Sequence, residues 1–460
     1  MSLTSWSDRL LPLYLPFFRA AALEHLEYDA TVFRWLLAAA GASVSGLLWL
    51  RHNKDLAFRI MSRVHRSGGS KLATDSIERA LARAHDRERN GYRTGLWSAF
   101  DAHIRRSVEN KYSASIVKNA KGLLNYRVLV LKSPGERERG VITMDYSYIF
   151  PLFAALFDVE KIARKYYIVL EPSWRGLCTA DILAYSKFDF PVFVQSIEPR
   201  DIAFLKGLNA NFITVPIAAN WWVDHRLVKP DPTVRRDLDV IMVAAWSPVK
   251  RHWRFFRVLA ELRRRGHRLK VALVGYDSGK TRASIEEEAR VLGVLDQLEI
   301  YDSVSLAEVV KLLARSKVHL LWSRKEGANR AIMEALFADV PIILREGLSY
   351  GHHYPYVNAA TGQFANEANL GDILLDMTNR HAEYQPRQWA LDSMSCQRAT
   401  EILENAIRKV ALAAGERWTS HLAVKTVHLE KQAYWDPEAL MRFSEDYKYL
   451  EMAVRKEFTT

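Results

Sequence analysis

Apolar residues along the middle of this chain come in short bursts spaced by amphipathic stretches. Residues 128–131, 166–170, 191–194 and 211–215 are each a run the length of a buried parallel strand. Helical periodicity fills the gaps and a further apolar run follows Gly140, so β and α alternate. Residues 226–237 break the pattern with Lys229, Pro230, Asp231, Pro232, Arg235 and Arg236 and read as a linker. A second alternating unit opens at Leu238. It predicts strands over 240–244, 269–274, 298–301, 318–322 and 342–344, and helices over 253–264, 284–292, 305–314 and 329–337. Ser305 with Glu308 three residues on predicts a capping box for the third of these helices. From about residue 366 the pattern is mostly helical. The expected class is therefore α/β, with one lobe over 126–225, a second over 238–400 and a helical tail over 401–460.

The first 125 residues are different. Residues 10–22 are apolar with Pro12 and Pro16. Residues 35–50 carry no charge, and Trp35 and Trp49 stand near the two ends. That run is shorter than the roughly 20 residues that span a bilayer, and Arg51 and Lys54 follow it. If it spans, the rest of the chain is cytoplasmic. It starts too late, and without a basic front, for a signal peptide. Two readings stand: a buried helix, or one that contacts a membrane by crossing it or lying in its interface. Residues 51–125 look helical and polar. Thr74, Asp75 and Glu78 resemble a helix start, Ile77, Leu81 and Ala84 share one side, and Arg79, Arg83, Arg87 and Arg89 decorate the other.

Composition narrows the class. With 49% hydrophobic and 26% charged residues this is an ordinary folded chain with ample core. Cys178 and Cys396 are too few for a disulfide framework and fit no metal spacing, so they read as reduced core thiols of a cytosolic protein. The net charge of +12 favours anionic partners. Residues 51–121 hold 16 Lys and Arg against 7 Asp and Glu, with no zinc-finger spacing or RNA-binding signature. A basic stretch behind an apolar one suits an anionic membrane surface better than nucleic acid.

The chemistry concentrates in residues 318–344. A short apolar strand runs into the polar loop 323–328, which contains Gly327. Helix-forming residues follow from Asn329, and Pro341 precedes the next strand. A loop at the carboxyl end of a parallel strand is where ligands bind in open α/β sheets. The helix start favours an anion. Glu326 in the loop and Glu334 two turns into the helix add two carboxylates, which suits a ligand with both phosphates and hydroxyls, such as a nucleotide sugar. The run Ser323, Glu326, Gly327, Glu334, Ala335 and Pro341 resembles the Glu-x7-Glu motif of family 4 retaining glycosyltransferases. That resemblance implies the GT-B fold, two Rossmann-like domains facing a central cleft. It implies that Glu326 contacts the donor sugar and Glu334 the ribose. It covers 238–375 well, 126–224 loosely and 1–125 not at all.

The same resemblance sets expectations at other strand ends. The family carries Arg and Lys clamping the donor diphosphate where this chain reads Ala244-Ala245-Trp246-Ser247-Pro248-Val249-Lys250. Lys250 matches the lysine, but Ala245 stands where the arginine belongs. Either the site has lost activity, or another arginine supplies the charge; Arg330 is the first candidate and Arg251 the second. Gly275 ends a strand and either admits a ligand or is an ordinary turn glycine. Tyr301 ends another, where the family holds the base, and either stacks on it or finishes the core. The family's first-lobe histidine is missing, since no His lies between 126 and 224. Glu171 holds the comparable place, to orient or deprotonate an acceptor hydroxyl or to face solvent in a turn, and Asp145 is a weaker candidate of the same kind. His352 and His353 lack acidic or cysteine neighbours for a metal, and no Asp-x-Asp stands where a metal-dependent transferase needs one.

The expectation is a metal-independent glycosyltransferase with no cofactor, using a nucleotide-diphosphate sugar as donor and a carbohydrate or lipid-linked acceptor. Glu326 and Glu171 are expected at the chemistry, and Lys250, Arg251, Gly275, Tyr301, Gly327, Asn329, Arg330 and Glu334 at the donor. The expected place is the cytoplasm or the cytoplasmic face of a membrane, in glycan, polysaccharide or glycolipid synthesis. The alternative is a non-catalytic module of the same fold that binds or assembles at a membrane; a nucleotide-sugar epimerase is a third possibility.

Overall fold

Two sheets organise the computed structural model, which describes residues 31–458 apart from 52, 111–112, 125, 175, 348–354 and 429–430. The apolar segment 10–22 and the pair His352 and His353 lie outside the described residues. The first sheet runs in the order β1 (Val128–Lys132), β2 (Gly140–Asp145), β3 (Tyr166–Glu171), β4 (Val192–Gln195), β5 (Phe212–Val215). Only the β1/β2 pair is antiparallel. The chain between them, 133–139, is too short for the crossover that parallel neighbours need, so it turns back through Pro134 and Gly135. Every residue of β1, β2 and β3 is buried, which is why they read as continuous apolar runs rather than alternating ones.

Residues 226–237 then cross to the second sheet without a strand or helix of their own. That sheet comprises β6 (Leu238–Val243), β7 (Val271–Gly275), β8 (Leu298–Asp302), β9 (Ser316–Leu321), β10 (Ile342–Arg345) and β11 (Gly362–Ala365). Its order is β11-β10-β9-β6-β7-β8, and all its pairs are parallel. The fold is the expected α/β pair of parallel-sheet lobes with a helical N-terminal region.

The N-terminal helices are α1 (Thr31–Leu50), α2 (Lys54–Ser67), α3 (Lys71–Arg89) and α4 (Leu96–Glu109). Thr74 does not start a helix. Ser70 caps α3 one turn earlier, its Oγ accepting from Ala73 N at 3.3 Å, and the left-handed Gly68 ends α2 just before it. In the second lobe Ser305 does cap α6 (Leu306–Ala314), accepting from Glu308 N at 3.3 Å; α5 (His252–Arg264) and α7 (Arg330–Phe337) follow β6 and β9.

The tail is a further correction. It begins with α8 (Cys396–Ala413) but then forms an antiparallel hairpin of β12 (Lys425–His428) and β13 (Lys431–Tyr434) before returning to helix. The hairpin and the last helices belong to the first sheet. Tyr434 Oη donates to Val130 O at 2.7 Å, Gln432 Nε2 to Arg127 O at 2.7 Å and Tyr166 Oη to Asp446 Oδ1 at 2.5 Å. Alternating Lys425, Val427 and Lys431, Ala433 gave too short a period-two signal to stand out beside the long helical patterns.

Candidate active site between the lobes

The strand order locates the site. β6 lies between β7, which follows it in sequence, and β9, which arrives from the far side, so the chain departs in opposite directions at the carboxyl ends of β6 and β9. Such a switch point opens a crevice. The loop after β6 carries Ala245 and Lys250; the loop after β9 carries Glu326 and Gly327. Arg324 N donates to Val249 O at 2.8 Å and ties the two loops together. Lys250 Nζ is consequently paired with Glu326 Oε1, although 76 residues separate them. Asn329 caps α7, its Oδ1 accepting from Ala331 N at 2.9 Å, and five apolar side chains from Ile332 to Phe337 bury the helix against the sheet.

The first lobe closes over this loop. Asn220 Nδ2 donates to Asn329 O at 2.9 Å, and Ala328 N donates to Ser173 O at 3.4 Å. A cleft of about 440 Å³ remains between the lobes. Lys250, Gly275, Glu326, Gly327, Asn329, Arg330 and Glu334 line it from the second lobe, and Asp145, Glu171 and Trp174 from the first. Burial pushes the Glu334 carboxyl above the usual range, and Arg330 one turn earlier pulls it back. The second-lobe side thus holds two cations and two carboxylates in one crevice. Such a set can exchange its internal pairing for a ligand's phosphates on Lys250 and Arg330 and its hydroxyls on Glu326 and Glu334.

Two expected donor residues lie elsewhere. Arg251 has φ 58°, is buried, and turns its guanidinium to Glu367, which Arg254 also engages at 2.6 Å. The left-handed turn that delivers Lys250 to the cleft sends the next side chain to the opposite side. Tyr301 does not line the cleft; its hydroxyl donates to Glu299 Oε2 at 2.7 Å. Strand alternation explains this: from Leu298 to Asp302 successive side chains face opposite ways, and the loop beyond, Ser303 and Val304, is what reaches the cleft. Gly275 lines the cleft, yet a Cβ there would sit 2.5 Å from Ala244 O and 2.8 Å from Trp246, so crowding between two strand ends already demands glycine. Ala245 lines the cleft as well, and Arg330 is the arginine that joins it there.

Glu171 is neither a free carboxylate nor a solvent-facing turn residue. It is 1% exposed, paired with Lys425 Nζ at 2.6 Å, and accepts from Gln195 Nε2 at 3.2 Å. Burial still raises its pKa, against the pull of Lys425. Lys425 comes from the hairpin 254 residues later in the chain, a partner sequence spacing could not suggest. Sequence reasoning also passed over Trp174 and Tyr276, which line the cleft at 63% and 58% exposure. Each is a large aromatic in a polar strand-end loop, and that placement was the available signal.

Residues 228–362 match the model of the family described as Glycosyl transferases group 1. No curated protein's sequence matches the chain. Among solved structures, sucrose-phosphate synthase from Thermosynechococcus elongatus is 12% identical with a TM-score of 0.46, over 70% of this chain and 80% of its own. TarM of S. aureus, a mutant in complex with Fondaparinux, alpha-GlcNAc-glycerol and UDP, is 13% identical with a TM-score of 0.43, over 53% of this chain and 51% of its own. Anabaena HepE in complex with UDP-glucose is 14% identical with a TM-score of 0.43, over 58% of this chain and 78% of its own. The chain spans about half the length of the TarM structures it resembles.

Proposed function

We propose, for a chain whose residues 228–362 form a group 1 glycosyltransferase domain, that the cleft transfers a sugar from a nucleoside-diphosphate donor to an acceptor hydroxyl. The single observation that carries this is the junction of Lys250, Glu326, Arg330 and Glu334 at the switch point of the second sheet. Lys250 and Arg330 take the diphosphate, where charge gathers as the glycosidic bond breaks. Glu326 takes the sugar and Glu334 the ribose, as the Glu-x7-Glu run implies; the same resemblance implies retention. Tyr276, with Ser303, Val304, Leu306 and Val309, also lines the cleft and suits a flat base. Ala245 removes a cation the family uses, and Arg330 replaces it.

The acceptor we infer is borne by a membrane. One side of α1 seats on α2 through Ala38, Gly41 and Ser45, with Val64 against Gly41. The other side leaves Val32, Leu36, Leu47 and Leu50 at 53–75% exposure, and the helix is long and apolar enough to cross a bilayer. Exposed Arg59, Arg63, Arg66, Lys71 and Arg79 flank it, which fits anionic headgroups around an inserted apolar face. The docking of α1 along α2 favours a position in one leaflet over a crossing. The buried free thiols Cys178 and Cys396 agree with a cytoplasmic face.

The test incubates purified protein with UDP- and GDP-sugars and a cell lipid extract and follows nucleoside-diphosphate release. Glu326-dependent release supports the enzyme. Binding of UDP or GDP without release makes the chain a non-catalytic module, and donor conversion without acceptor makes it an epimerase. For the membrane, sedimentation with phosphatidylglycerol-containing vesicles is expected to fail for Leu36→Glu with Leu47→Glu. Equal pelleting of the variant, or concentration-dependent dimers of wild type without vesicle binding, overturns it.

A further inference from the structure

Asn220 crosses the boundary between the lobes and is fully buried there. It belongs to the single turn Ala219–Trp222, which follows β5 in the first lobe. Its Nδ2 donates to Asn329 O at 2.9 Å, and its Oδ1 accepts from Tyr356 Oη at 2.7 Å. Both partners belong to the second lobe, and their demands are opposite. A carbonyl oxygen can only accept. The Tyr356 hydroxyl, which burial keeps protonated, has a proton to give. An amide carries a donor and an acceptor on one carbon and meets both. Turned the other way, its oxygen would stand against the Asn329 carbonyl.

Each end of this clasp is anchored. On the first-lobe side the same turn carries Trp222, buried and donating through Nε1 to Gln195 Oε1 at 3.2 Å, at the end of β4. On the second-lobe side Thr361 Oγ1 donates to Tyr356 O at 2.6 Å, and Thr361 O accepts from Ile342 N at 2.9 Å, where β10 begins. Asn329 caps α7 and precedes Arg330. Ala219 and Asn329 both line the cleft, and Asn220 joins them from behind its wall.

We propose that Asn220 is a positioning residue that sets the register of the first lobe against the start of α7, so that an acceptor held on the first lobe meets the donor held on the second. This rests on the glycosyltransferase reading above. The groups assigned to the donor, Lys250, Glu326, Arg330 and Glu334, all belong to the second lobe. Nucleotide binding therefore does not need the clasp. Transfer does, because it joins groups carried by different lobes, and a misplacement of about 1 Å is enough to cost about 100-fold in rate.

Asn220→Asp adds a pH signature with a definite sign. Ionised, its carboxylate still accepts from Tyr356 but sets the second oxygen against Asn329 O. Protonated, it donates there as the amide does. Burial favours the protonated form, so the clasp returns as pH falls.

The experiment compares the full chain as wild type, Asn220→Ala, Asn220→Asp and Tyr356→Phe. UDP and GDP affinity is measured by calorimetry. Nucleoside-diphosphate release from UDP- and GDP-sugars with cell lipid extract is followed at saturating donor, per folded protein, from about pH 8.5 to about 5.5. Amide exchange is read by mass spectrometry. In Asn220→Ala we expect nucleotide affinity within about threefold of wild type and turnover about 10- to 100-fold lower at every pH. Amides over 219–223 and 326–331 are expected to exchange about tenfold faster or more, with β6 and β9 as in wild type. Tyr356→Phe, which keeps the bond to Asn329 O, is expected to fall between the two. Asn220→Asp is expected to match Asn220→Ala at the alkaline end and to recover about tenfold relative to wild type at the acid end. Asn220→Ala turnover within about threefold of wild type, or affinity falling in step with turnover, overturns the assignment while the donor reading stands. If Asn220→Ala does not fold, the Asn220→Asp ratio to wild type decides, and a ratio flat with pH overturns it. Nucleotide binding without turnover in wild type removes the transferase reading, and unchanged exchange in the variants then removes the clasp as well. Absence of UDP and GDP binding in wild type overturns the donor reading, and this assignment falls with it.

Discussion

The two walls of the cleft are built by different rules. The wall we propose for the donor is local in construction: two loops, each leaving a strand of one sheet, meet because parallel strand order forces their ends together. The wall we propose for the acceptor is assembled from distant chain. Arg127, Asp145, Glu171 and Lys425 converge from the start of the first lobe, two of its strands and the C-terminal hairpin. The donor wall is half-open, with its charges able to change partners. The acceptor wall is nearly dry, and its Glu171–Lys425 pair is sealed at 1% and 0% exposure. A wall that exchanges partners serves a charged ligand that comes and goes. A sealed ion pair instead holds a fixed frame.

The contrast can be broken at its most buried point first. Lys425→Ala leaves Glu171 without its counter-charge in the core, and it is expected to lower unfolding free energy by about 3–5 kcal/mol in urea melts. A loss under about 1 kcal/mol means the acceptor wall is not sealed by that pair. On the donor wall, Glu326→Ala is expected to lower nucleoside-diphosphate release about 100- to 1000-fold while urea stability changes little, since Lys250 regains solvent. Arg330→Ala comes next, weakening UDP or GDP binding by about 1.5–3 kcal/mol in calorimetry, and adding Ala245→Arg is expected to recover part of it. Full affinity in the single variant would remove Arg330 from the diphosphate. The finest test separates two tyrosines. Tyr276→Ala is expected to cost about 1–3 kcal/mol of nucleotide affinity, while Tyr301→Phe leaves affinity within error. The reverse order would move the base from the loop to the strand.

Legibility in the sequence followed the same division. The donor wall was readable because its residues sit at fixed offsets from apolar strands: Lys250 after β6, Glu326 and Glu334 around the start of α7. What failed there failed by side-chain direction. Arg251 and Tyr301 are adjacent in sequence to the right places, but a left-handed turn in one case and strand alternation in the other turn them away. On the first-lobe wall Asp145 and Glu171 were visible as strand-end carboxylates, but their partners were not. Glu171 is consumed by a lysine from a hairpin hidden in a tail that read as helix, and Asp145 pairs with Arg127.

The sequence by itself determined most of the buried parallel strands, β11 excepted, because dry parallel strands must be apolar throughout, and it placed Glu326 and Glu334 beside one strand end, because strand-end loops are short. Only the tertiary structure decided who neutralises whom. Charge pairing depends on through-space distance in a medium of low dielectric, and no pattern along the chain records that Lys425 ends up 2.6 Å from Glu171.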